Sequence, residues 1–154
     1  MRSILQKLIL GVAITVTGAL AADNSLGTWK LKMERSKFSP SAPVKNLTAT
    51  REASDDGVKV TMTGERADGT PINGSYTAKY DGKQYPVTGA PYDSIAIKQV
   101  NTNTFTSSQK NSGTKYNTTS RAVISNDGKA ITITTRGTGA DGNAIRYTMV
   151  YDKQ

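Results

Sequence analysis

The chain has 154 residues, of which 36% are hydrophobic and 21% charged, with a formal net charge of +8; that length fits one domain. It holds neither cysteine nor histidine. Thiol nucleophiles, histidine-based triads and zinc sites of the usual nitrogen and sulfur type are excluded, and no disulfide braces the fold.

Residues 1–21 read as a signal peptide that is removed. Arg2 and Lys7 give the positive start, and Ala19-Leu20-Ala21 supplies small residues ahead of a cleavage point. The run from Leu8 to Leu20, diluted by Gly11, Thr15, Thr17 and Gly18, is too short for a stable membrane anchor. No cysteine follows the cleavage point to carry a lipid. A periplasmic or secreted protein is expected, folded as one domain over residues 22–154. The leucines of that domain are Leu26, Leu31 and Leu47, and its glutamates Glu34, Glu52 and Glu65. Strong helix formers are therefore scarce, whereas the abundant Thr, Val, Ile and Tyr suit a pleated surface.

The first strand is predicted over 26–34, with Trp29, Leu31 and Met33 on one face and Lys30 and Lys32 on the other. Residues 35–46, with Pro40 and Pro43, read as a long ordered loop. It either covers one mouth of the fold, anchored by Phe38 and Val44, or lies exposed. Further strands are predicted at about 46–54, 57–65, 71–80, 83–88, 93–100, 103–110, 114–124, 129–136 and 143–152. Asp-Gly or Ser-Gly turns punctuate them at 56–57, 68–69, 81–82, 112–113, 127–128 and 141–142. The apolar period is two, as in Val58/Val60/Met62, Ile95/Ile97 and Ile131/Ile133. Gly64 to Lys83 is echoed by Gly137 to Lys153, which predicts two hairpins built alike. One face buried and one wet, in a meander, predicts an all-β fold: an antiparallel up-and-down β-barrel of about 8–10 strands, since closure hides the apolar face and removes edges.

Apparent motifs dissolve into this pattern. Gly137-Thr-Gly-Ala-Asp-Gly142 fits a phosphate-loop spacing, but the strand pattern after it denies the helix such a cradle needs. Ser107-Ser-Gln-Lys110 fits a serine-enzyme spacing, yet it ends a strand instead of making a helical turn. The aspartates before glycine serve turns.

The aromatic phase carries the functional reading. Tyr76, Tyr80, Tyr116, Tyr147 and Tyr151 fall in step with the buried set, as do Trp29, Phe105, Met33, Met62 and Met149. A buried tyrosine hydroxyl needs a partner, and a cavity holding water or a polar-tipped ligand provides one. Core packing with hydroxyls reaching the mouths is the alternative. Additional strands widen a barrel beyond what side chains fill.

Gly27-Thr28-Trp29 opening the first strand, and Thr148-Met-Val-Tyr-Asp-Lys153 closing the last, resemble the lipocalin and fatty-acid-binding-protein (calycin) group. Ser36-Lys-Phe-Ser-Pro40 and the run Tyr80-Asp-Gly-Lys83 to Tyr85-Pro-Val-Thr-Gly89 are similar to small exported bacterial lipocalin-like proteins. The resemblance implies that Trp29 closes the barrel bottom, near a basic side chain such as Arg136 or Arg146. The chain departs from the group in lacking the Thr-Asp-Tyr loop motif. It also has Met149-Val150-Tyr151 where the fatty-acid proteins carry Arg-x-Tyr, so the usual carboxylate clamp loses its arginine, and 35–46 is too short for a helical lid.

The function expected is an exported, non-enzymatic binding protein that holds a small apolar or amphipathic ligand inside the barrel, with no cofactor, metal or nucleic acid. The alternative is a solid barrel acting as an envelope interaction or inhibitor module through its loops or basic outer wall, where Lys79, Lys83, Lys98, Lys110 and Lys115 are expected. An enzyme is the weakest reading, since no nucleophile–base pair is visible.

Overall fold

The computed structural model describes residues 22–154; the signal-peptide reading concerns 1–21 and lies outside the described residues. Eleven strands follow in chain order: β1 (Gly27–Leu31), β2 (Lys37–Ser39), β3 (Val44–Ser54), β4 (Gly57–Arg66), β5 (Pro71–Lys79) and β6 (Tyr85–Thr88). They continue as β7 (Ser94–Asn101), β8 (Thr104–Lys110), β9 (Asn117–Ile124), β10 (Ala130–Thr138) and β11 (Ala144–Lys153). All pairings are antiparallel. β1 pairs with β3, each later strand pairs with the next, and β11 returns to β1, closing a ten-strand barrel to which β2 is added. The all-β barrel expected from the alternation is what forms.

The expected loop over 35–46 needs correction. Lys37–Ser39 pairs with Arg146–Thr148 of β11, while β1 takes the far part of β11, from Tyr151 to Lys153. β1 and β2 therefore occupy one position in the wall, interrupted by a 3-10 turn at Met33–Arg35. β11 is ten residues long and β1 only five. Without β2, the first half of β11 would present unpaired backbone groups along that edge. Ser36 mends the break: its hydroxyl accepts the Val150 N–H at 3.0 Å and donates to the Lys32 carbonyl at 2.7 Å. Three residues are too few to display a period of two, so β2 leaves no readable alternation.

The turns follow their aspartates. Asp68, Asp81, Asp127 and Asp141 each accept the backbone N–H two residues on, at 2.9–3.0 Å. Gly137 to Gly142 spans the end of β10 and its turn into β11, as a hairpin. The two echoing segments are built alike. At Gly64 a Cβ would lie 2.3 Å from the Asn46 carbonyl oxygen, and at Gly137 2.2 Å from that of Asn117, both with φ near +150° where side chains are strained.

Inward-facing residues define two ends. At one, Trp29, Val58, Phe105, Ile124 and Ile131 pack into a closed core. The segment from Ala22 to Leu26 lies across this end, with the Asn24 side chain donating to Asn103 Oδ1 at 2.8 Å and Gln99 Nε2 to the Ala22 carbonyl at 2.9 Å. At the other end the β4–β5 and β10–β11 turns and the Gly89–Tyr92 loop surround a mouth.

Candidate functional site

Between the closed end and the mouth the barrel encloses a cavity of about 280 Å³. Its walls differ in chemistry. β3, β4 and β5 contribute Leu47, Ala49, Val60, Met62 and Ile72, an apolar wall. β8, β9 and β10 turn polar side chains inward. Gln109 Nε2 donates to Ser107 Oγ at 2.7 Å, Thr118 Oγ1 donates to Gln109 Oε1 at 2.8 Å, and Ser120 and Thr135 share a hydrogen bond of 2.7 Å. Burial without partners would make these groups costly. Linked across three strands, they form a satisfied polar ladder, and no described buried side-chain polar atom lacks a partner.

The floor carries a charge. Arg51, from β3, is half-buried and lines the cavity. Its Nε donates to Ser25 Oγ at 3.2 Å; Ser25 Oγ donates to Asp23, whose other oxygen accepts the Tyr80 hydroxyl. Arg51 makes no direct ion pair among the described residues. Burial opposes its charge, but Tyr76, Tyr80 and Asp23 outweigh that, leaving it a firmer cation than a free guanidinium. Tyr151 is buried beside it, which pushes the phenol well above its ordinary range. The Tyr151 hydroxyl donates only to Met149 Sδ, at 3.7 Å, a weak acceptor.

The mouth is aromatic. Tyr147 meets Phe38 edge-on at 5.5 Å, and Tyr92 lies 5.8 Å from Tyr116. Burial raises the phenols of Tyr92, Tyr116 and Tyr147, most strongly that of Tyr92.

Of the residues singled out from the sequence, Trp29, Met62, Tyr76 and Phe105 line the cavity, as do Tyr116, Tyr147, Met149 and Tyr151. Met33 and Tyr80 do not. Met33 sits in the 3-10 turn and packs against the core, and Tyr80 lies beneath the floor, its ring 5.1 Å from Phe105. The basic partner of Trp29 also needs correction. Lys153, opposite it on β11, stands over the indole at 5.6 Å, while Arg136 and Arg146 are exposed on the outer wall. The indole N–H donates to the Ser25 carbonyl at 2.8 Å. Sequence reasoning passed over Arg51 and the polar ladder. The signal for Arg51 was its phase, two residues from Ala49 and four from Leu47 on the inward face.

A closed antiparallel meander of ten strands around an internal cavity is the calycin-type barrel, the fold of fatty-acid-binding proteins and lipocalins. One solved structure agrees at the level of fold. A zebrafish ileal bile acid-binding protein complexed with cholic acid is 13% identical, covering 86% of this chain and 100% of that one with a TM-score of 0.51. The siderocalin Ex-FABP is 11% identical over 86% of this chain and 75% of that one, with a TM-score of 0.44. No protein-family model matches the sequence, and no curated protein matches it.

Proposed function

We propose that the protein is an exported, non-enzymatic carrier that encloses one small amphipathic molecule, its acidic or polar head at Arg51 and its apolar body along β3–β5. What supports this is the cavity itself: an apolar wall, a polar wall and an internal cation without a direct ion pair among the described residues, meeting in one enclosed space. Drug-sized ligands occupy pockets of about 300–1,000 Å³, so the occupant is at the small end of that range. Burying its apolar surface contributes about 25 cal/mol/Å². The head gains a charge-assisted hydrogen bond from Arg51 and a second one from the Tyr151 hydroxyl, whose acceptor within the chain, Met149 Sδ, is weak. The solved barrel with cholic acid is an instance of this fold holding an acidic amphiphile. Export is supported by the pattern of residues 1–21.

The test is calorimetric titration of the folded protein with laurate and with dodecanol. One-to-one laurate binding is expected. Arg51→Met should weaken laurate about tenfold or more, and dodecanol less than about twofold, because a hydrogen bond to a charged group is worth about 1.5–3 kcal/mol. Ala122→Phe, which fills the cavity, should abolish both. Failure of laurate, dodecanol and 1-anilinonaphthalene-8-sulfonate to bind the folded protein would sink the reading.

A further inference from the structure

The outer wall carries a second feature, distinct from the cavity. On β7, β9, β10 and β11 the exposed cations Lys98, Arg121, Arg136 and Arg146 border a shallow depression of about 790 Å³ whose remaining lining is Ser, Thr, Ala and Gly. The register makes this arrangement costly. Arg136 and Arg146 are directly opposite one another on neighbouring strands, where like charges repel. One strand over, Arg121 stands opposite Thr134, diagonal to Arg136. No carboxylate lines the depression, and neither ion pair among the described residues, Arg35–Asp152 or Lys45–Glu65, involves these cations. Long basic chains at the rim and short hydroxyl side chains on the floor leave a hollow that supplies positive charge and O–H donors together.

We propose that this face binds clustered phosphate or sulfate oxyanions carried on a polyhydroxylated, saccharide-like scaffold. Guanidinium groups pair with such oxyanions in bidentate fashion, and the threonine floor matches ring hydroxyls. No aromatic side chain lines the depression, so the stacking platform that single-stranded nucleic acid uses is missing. The site is independent of what the barrel interior holds.

Titration with inositol hexakisphosphate at roughly 150 mM salt, where exposed charges are screened beyond about 8 Å, tests this. The double variant Arg136→Gln/Arg146→Gln should weaken binding at least tenfold. Lys59→Gln/Lys79→Gln removes the same charge from the exposed face of β4 and β5 and should change binding less than twofold. Because the arginine pair repels itself, its double variant should melt no lower than the parent, which separates lost binding from lost folding. Vesicles containing phosphoinositide, against plain phosphatidylcholine vesicles, distinguish a lipid headgroup from a soluble source; binding in either arm with arginine dependence supports the proposal. Equal weakening by both double variants, no binding in either arm, or tighter arginine-dependent binding of oligothymidylate would overturn it. Laurate binding in the cavity is read separately and is unaffected by these variants.

Discussion

At the scale of single residues, the closed end depends on a relay that ties the start of the described chain to the barrel interior. Arg51 reaches Asp23 through Ser25, and Tyr80 caps the other oxygen of the same carboxylate. The pairing also explains why Tyr80 resists ionisation: burial and the bond to Asp23 both push its phenol well above the ordinary value. Tyr80→Phe removes the donor and leaves a half-buried carboxylate oxygen unpaired, which costs about 1–3 kcal/mol. Urea unfolding should show a lower midpoint at unchanged slope. Because Tyr80 lies outside the cavity lining, laurate affinity should hold within about twofold; a larger loss would place Tyr80 in the ligand site after all. Trp29 is the larger packing unit, only 1% exposed with its indole N–H satisfied. Trp29→Ala is expected to cost about 3–5 kcal/mol in the same assay.

At the scale of elements, the weak point of the wall is the broken strand. Ser36 supplies through its side chain the bond that backbone would supply in an unbroken strand. Ser36→Ala leaves the Val150 N–H without that partner, an expected loss of about 1–3 kcal/mol. Amide exchange should locate it: Val150 and its neighbours in β11 should lose protection before β4 or β10. The paired hairpins make a sharper comparison. Gly128→Ala meets nothing within 4 Å and bears only the cost of its positive φ, about 1–2 kcal/mol. Gly64→Ala and Gly137→Ala add a collision with a neighbouring strand's carbonyl, so both should be less stable than Gly128→Ala, by calorimetric melting. These elements were readable to different degrees. Strands of seven residues or more declared themselves by alternation and by Asp-Gly turns, as β4 and β10 do. β2 did not, because tertiary pairing to β11 creates it and local pattern plays no part.

At the scale of the whole molecule, the barrel was legible because a single amphipathic period recurs throughout, whereas the site was legible only where it is apolar or aromatic. Inward serines, threonines and an inward arginine carry the same letters as a wet face, and only closure of the ring decides which side they occupy. The same composition sets the response of the fold to pH. With no histidine, no side chain with an ordinary pKa titrates between about pH 5 and pH 9, so stability should be level there. Below that window the turn aspartates act: hydrogen bonds from Thr70, Tyr85, Ser112, Ser125 and Asn143 hold Asp68, Asp81, Asp93, Asp127 and Asp141 below the ordinary carboxylate value. As pH falls through about 4 the unfolded chain takes up protons first, so stability present above that value is lost toward lower pH. Above the window the sign reverses in origin. Tyr80, Tyr92, Tyr116 and Tyr151 have raised values in the fold. The unfolded chain therefore sheds protons first as pH passes about 10, and stability falls from there upward. Urea midpoints measured from pH 2 to 12 should trace a flat top with a fall on each side, the alkaline fall coinciding with phenolate absorbance. A slope across the neutral window, or ionisation of Tyr80, Tyr92, Tyr116 or Tyr151 near pH 10 while the barrel stays folded, would contradict the burial of these four phenols.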